Sequence, residues 1–275
     1  MSLIEEVMRR QAHERAAMPG AANAGSAAAA GRVARPIPAH VPEAAPQQYR
    51  VAPLDADAME RNRVLLRVQD VAVSRAYKIL RTRVLHRMVA NNWFTLGVIG
   101  TGVGEGKTLT AVNLALALAQ DPNAWVFLVD LDLQRPRLGT CLGMSYEYGL
   151  TDYLTGQAEL DQVIYDIGIR RLAVVPNASP VENSSEHLRS SQMANFVNAL
   201  EAQTPRRIII FDMPPLLVTD DVLAFAPRVD SFLLVVSQGL TARRTLANAK
   251  EVLSELNVLG VVLNRSTEHN DSPYY

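Results

Sequence analysis

The stretch Gly100–Thr108, GTGVGEGKT, combines the groups needed to grip a polyphosphate. Its glycines let backbone N–H groups turn inward, Lys107 supplies a cation for the outer phosphates, and Thr108 supplies a hydroxyl for Mg²⁺. The stretch closes an apolar run, Phe94–Gly100, and opens a helical one, Lys107–Gln120. That strand–loop–helix setting points the positive end of a helix at bound phosphate. The strict pattern has glycine where Thr101 stands. Downstream, VFLVDLDLQRPRL places Asp130 and Asp132 at the end of a second apolar run, and RIIIFDMPPLLVTDD places Asp212 at the end of a third. Carboxylates at the ends of buried strands cost stability unless they are solvated, paired or bound to a metal. Either acidic motif alone could be an ordinary helix cap or loop charge. Both motifs beside a phosphate loop point to a nucleotide–metal site.

Six apolar runs must position these groups: Phe94–Gly100, Trp125–Asp130, Leu172–Val175, Arg207–Asp212, Ser231–Val236 and Val258–Leu263. Helical stretches separate them, notably Met193–Gln203 and Ala242–Leu256. Continuous apolar strands alternating with helices predict an α/β fold, a mostly parallel sheet with helices on both faces. Ligands of such sheets bind beyond the carboxyl ends of the strands, which is where the glycine loop and the acids fall. Asn264 and Arg265 lie at the same edge after the last run, where an Asn can pair with an adenine edge or simply form a turn. Val71–Ala90 reads as a basic amphipathic helix.

Composition sets the limits. The 275 residues carry a net charge of −1, which argues against a broad nucleic-acid-binding face. Cys141 is the single cysteine, so an intramolecular disulfide or a multi-cysteine zinc site is excluded; it reads as a small apolar side chain. The five histidines are scattered without ligand spacing. The charged N-terminus does not resemble a secretory signal, and no apolar run approaches a membrane span, so the expectation is a soluble, cytoplasmic chain. The segment from Ala16 to about Pro53 is dominated by Ala, Gly and Pro and predicts a flexible arm. The expected organisation is an arm over residues 1–60, a catalytic domain over 61–266 and a mobile tail over 267–275.

Taken together, GEGKT, DLDLQRP, FDMPPLLVTDD, GLTDYLTG, PVENSSEHLRS and the terminal LNRS resemble the bacterial tyrosine kinases (BY-kinases) of polysaccharide export, of the CpsD/CapB type. The resemblance runs from about Val71 to Tyr275. It implies a three-layer P-loop NTPase-like fold and an ATP-dependent autokinase that phosphorylates tyrosines in the tail of a neighbouring subunit, here Tyr274 and Tyr275. ATP would be held by Gly102, Val103, Gly104, Glu105, Gly106, Lys107, Thr108, Leu109, Asn264 and Arg265. Mg²⁺ would be held by Thr108, Asp130, Asp132 and Asp212, with Lys107, Asp130 and Asp132 catalytic and one of the two aspartates acting on the phenol. Implied partners are further copies of the chain, a membrane polysaccharide co-polymerase that recruits it to the inner face of the plasma membrane, and a tyrosine phosphatase. Two departures stand out. Gln134 replaces an arginine of the family pattern, and the helix signature ExxRxxR reads as Arg75, Lys78 and Arg81. The competing readings are a MinD/ParA-like ATPase, whose signature lysine is replaced by Gly102, and a kinase-like nucleotide-binding regulatory module with weak phosphotransfer.

Overall fold

The computed structural model describes residues 49–66, 70–204 and 206–266. Its elements begin with β1 (Arg50–Val51), α1 (Ala56–Arg61), α2 (Val71–Asn91), β2 (Thr95–Gly100), α3 (Lys107–Leu118) and β3 (Trp125–Asp130). Short helices α4 (Leu138–Leu142), α5 (Leu150–Leu154) and α6 (Leu160–Val163) lead to β4 (Tyr165–Asp166) and β5 (Leu172–Val175). Then come α7 (Ser184–Arg189), α8 (Ser191–Gln203), β6 (Arg207–Pro215), α9 (Asp221–Phe225), β7 (Ser231–Ser237), α10 (Arg243–Glu255) and β8 (Val258–Asn264).

The strands form one sheet in the order β1-β4-β5-β3-β6-β2-β7-β8, parallel throughout except where β4 meets β5. Alternate residues of each central strand serve opposite faces, because the side-chain period of a strand is two. Phe127 and Val129 join one apolar cluster with Phe196 and Leu200 of α8 and Leu253 of α10. Val126 and Leu128 join a second with Met88 of α2 and Leu114 and Leu118 of α3. The sheet is therefore the middle of three layers, as the apolar runs predict. Asp70 starts α2 by accepting the Ala72 and Val73 N–H groups, and Asn92 ends it in the left-handed conformation. Among the described residues no helix is long and apolar enough to cross a membrane.

The expected arm boundary at residue 60 gives way to an ordered segment from Tyr49 onward. β1 pairs with β4, Asp55 caps α1, and Ala52, Met59 and Val64 are buried. The composition of this region is dominated by small residues, so a few singly spaced anchors escape a reading based on average hydrophobicity. The rest of the expected arm, residues 1–48, and the expected tail, 267–275 with Tyr274 and Tyr275, lie outside the described residues.

Candidate active site

β2 sits between β6 and β7, with β3 on the far side of β6, so the carboxyl ends of β2, β3 and β6 are adjacent. Register sharpens the arrangement. Asp130 lies directly opposite Asp212 across β3 and β6, and Val98 of β2 lies opposite Asp212. Two aspartates distant in sequence thus become neighbours beside the loop that leaves Gly100.

That loop runs into α3, whose N-cap is Gly106 at φ 93°, a conformation that favours glycine. Lys107 is 7% exposed and donates from Nζ to the Gly102 carbonyl at 2.8 Å. Burial lowers the pKa of its ammonium, an effect opposed by the nearby carboxylates of Asp212, Glu105 and Asp132. Thr101, the departure from the strict pattern, is buried and donates its hydroxyl to Glu105 Oε1 at 2.7 Å. A side chain thereby does the local fastening that the missing glycine cannot.

The three aspartates are not equivalent. Asp130 is fully buried; its Oδ1 accepts the Asp132 N–H at 3.1 Å, and its Oδ2 accepts those of Arg137 at 3.1 Å and Leu138 at 3.0 Å. It clamps the turn between β3 and α4. Asp132 is half-buried, with Oδ1 accepting the Arg135 N–H at 3.0 Å. Asp212 is 1% exposed, and neither of its oxygens has a well-formed hydrogen bond. Burial pushes its carboxyl up to about 7, with the Thr108 hydroxyl and the Lys107 ammonium pulling the other way. Asp130 is raised by burial and by the charge of Asp212, and Asp132 is raised chiefly by burial.

Buried carboxylate oxygens without well-formed hydrogen bonds suit a cation that arrives with its ligand. Among the described residues no three His, Cys, Asp or Glu side chains form a ready-made metal cage. Mg²⁺ does not require one, since it binds through one or two carboxylates, substrate phosphates and water. Asp212 and Thr108 fit that role best, with Asp132 at the rim.

Asn264 and Arg265 lie against the loop. Asn264 Nδ2 donates to the Glu105 carbonyl at 2.9 Å, and Arg265 Nη2 to the Gly104 carbonyl at 3.0 Å. Val103 and Gly104 are exposed at the loop tip, Leu109 is half-buried in the first turn of α3, and Gly102 lies near Glu105. Gln134 donates to the Ser184 hydroxyl at 2.8 Å, which in turn contacts both oxygens of buried Asp221 at 2.8 Å. This relay, like the contact of Thr241 with Glu105 at 2.6 Å, depends on contacts between distant segments. Nothing local in the sequence signals either one.

Residues 96–274 match the CobQ/CobB/MinD/ParA nucleotide binding domain. The chain is 29% identical over 221 residues to tyrosine-protein kinase YwqD of Bacillus subtilis (strain 168), covering 79% of this chain and 92% of that protein. It is 31% identical over 176 residues to tyrosine-protein kinase CpsD of Streptococcus agalactiae, covering 63% and 76% respectively. The kinase domain of Escherichia coli tyrosine kinase ETK superposes with a TM-score of 0.65 at 25% identity, covering 84% of this chain and 89% of that one. The chain therefore belongs to the bacterial tyrosine kinases, within the CobQ/CobB/MinD/ParA nucleotide-binding family.

Proposed function

We propose that the protein is an ATP-dependent tyrosine autokinase that transfers the γ-phosphoryl group to Tyr274 and Tyr275 of neighbouring copies and so regulates exopolysaccharide or capsule assembly. The observation that carries this reading is the buried Lys107 on a glycine loop beside Asp212, whose oxygens have no well-formed hydrogen bond. Bound Mg²⁺ would neutralise phosphate charge and fix the geometry of the terminal phosphate. Loop amides and Lys107 would hold the phosphates, while Thr108 and Asp212 would hold the metal. Asp130, with both oxygens engaged by amides, keeps the β3–α4 turn in place. Asp132 is the more accessible carboxylate, and its raised pKa suits a group that accepts the phenolic proton as the tyrosine oxygen bonds to phosphorus. The bond from phosphorus to the leaving oxygen of ADP then breaks.

The proposed setting is the cytoplasmic face of the plasma membrane, reached through a membrane polysaccharide co-polymerase that also activates the kinase, with a tyrosine phosphatase reversing the modification. The relatives' names, tyrosine-protein kinases YwqD and CpsD, support the transfer reading over a MinD/ParA-like ATPase. Incubation of the purified chain with Mg·ATP should give an anti-phosphotyrosine signal that disappears in Lys107→Met and in the double variant Tyr274→Phe/Tyr275→Phe. Hydrolysis without phosphotyrosine would favour the ATPase, and binding without turnover would favour a regulatory module.

A further inference from the structure

A phosphate loop presents N–H groups inward, which turns carbonyls outward, and outward carbonyls packed against protein need donors. Here two such donors come from one distant strand end. Asn264 and Arg265, at the end of β8, donate to the carbonyls of Glu105 and Gly104 at 2.9 and 3.0 Å. Arg265 holds φ at 56°, a left-handed conformation that is unfavourable for an L residue. Its N–H donates to Asn264 Oδ1 at 2.9 Å, so the turn that orients one donor also fixes the other.

The Glu105 side chain, 2% exposed, extends the support to β7. It accepts the Thr101 hydroxyl at 2.7 Å, the Gly102 N–H at 2.9 Å and the Thr241 hydroxyl at 2.6 Å. The Thr241 hydroxyl also accepts the Ser237 N–H at 3.0 Å, which ties it to the carboxyl end of β7. Its two interactions, one given and one received, lock its rotamer. A side chain on Gly106 would run into the Asn264 amide, so the loop and the β8 end are closely fitted.

We propose that Thr241, Asn264 and Arg265 form a strut that holds the phosphate loop in its phosphate-receiving shape from behind, as positioning residues rather than as ligands of the base. This rests on the reading of the loop as a nucleotide site. It also gives Asn264 and Arg265 a role different from the adenine contact that their place at the sheet edge suggests. A strut acts on phosphate binding whatever base is attached, whereas a base contact acts only on the nucleoside.

The test compares Mg·ADP with Mg·tripolyphosphate, which has no base, as ligands of the full chain, measuring affinity by calorimetry and the melting temperature with and without ligand. Thr241→Val, Asn264→Ala and Arg265→Ala should each weaken both ligands about tenfold, the loss of a hydrogen bond to a loop that must be preformed. Thr241→Ser should restore both affinities. Arg265 is exposed, so its variant reports even if a buried change disturbs folding. ATP kinetics should show the loss in KM with kcat little changed. Wild-type affinity for both ligands in Thr241→Val and Arg265→Ala overturns the strut alone. So does an Asn264→Ala protein that loses ADP but keeps tripolyphosphate. A wild-type protein that binds neither ligand overturns the nucleotide reading and the strut with it.

Discussion

Asp212, the proposed metal ligand, illustrates how a binding residue can work against the fold that carries it. Its buried oxygens have no well-formed hydrogen bond, and the Thr108 hydroxyl and Lys107 ammonium offset only part of the cost of keeping charge there; an arriving cation would offset the rest. Asp212→Asn should therefore raise the stability of the ligand-free protein at pH 8, by about 1–3 kcal/mol in urea unfolding. It should at the same time abolish phosphotyrosine formation and the stabilisation by Mg·ADP. Loss of stability in this variant would mean that the carboxylate has a structural partner. Cys141 makes the opposite case, a reactive group made inert. Burial pushes its thiol up to about 12, so the thiolate is scarce at pH 8 and rises about tenfold per pH unit up to that value. Alkylation of the native protein by iodoacetamide should be at least about a hundredfold slower than that of the urea-unfolded chain. The expectation that Cys141 packs as a small apolar residue is consistent with that protected state.

At the level of elements, the segment from β1 to α1 separates composition from packing. Read as average hydrophobicity, residues up to 60 belong to an arm; in the fold, Met59 is 4% exposed within the α2–α3 core and Gly143 fits tightly against Asp55 and Ala58. Met59→Ala should lower unfolding stability by about 2–4 kcal/mol, measured by urea denaturation. A part of a mobile arm would show no change. The longer elements were legible because period and burial agree. β3 and β5 fall on the residues their apolar runs mark, and α2 and α10 end within one residue of expectation. The two-residue strands β1 and β4 were not legible, because a pair of residues carries no period and is recruited only by an existing sheet edge.

For the whole molecule, acceptor and active site are expected on different copies. Mixing a Lys107→Met chain that retains Tyr274 and Tyr275 with an active chain lacking both should place phosphotyrosine on the inactive chain, read by mass spectrometry of size-tagged proteins. The rate should rise with the concentration of either chain. Labelling confined to the active wild-type copy in a wild-type and Lys107→Met mixture would mean transfer within one chain. Association surfaces bear on the same experiment. Helix α2 exposes Arg75 and Lys78, while Arg81 is held at 3.4 Å by the Ala117 carbonyl and the Gln120 side chain, so the altered signature presents two outward cations rather than three.

The amino-acid sequence by itself determined the class of fold and nominated the residues whose chemistry suits phosphate. Strand periodicity, a glycine loop and strand-terminal acids are local patterns with local physical causes. Only the tertiary structure decided how those residues divide the work: Asp130 engaged by amides, Asp212 left without a well-formed hydrogen bond, Asn264 and Arg265 turned onto the loop, and Thr241 and Asp221 brought in from elsewhere. These distinctions depend on which strand lies beside which and in what register. Strand order and register are set by packing of the whole sheet rather than by any segment within it.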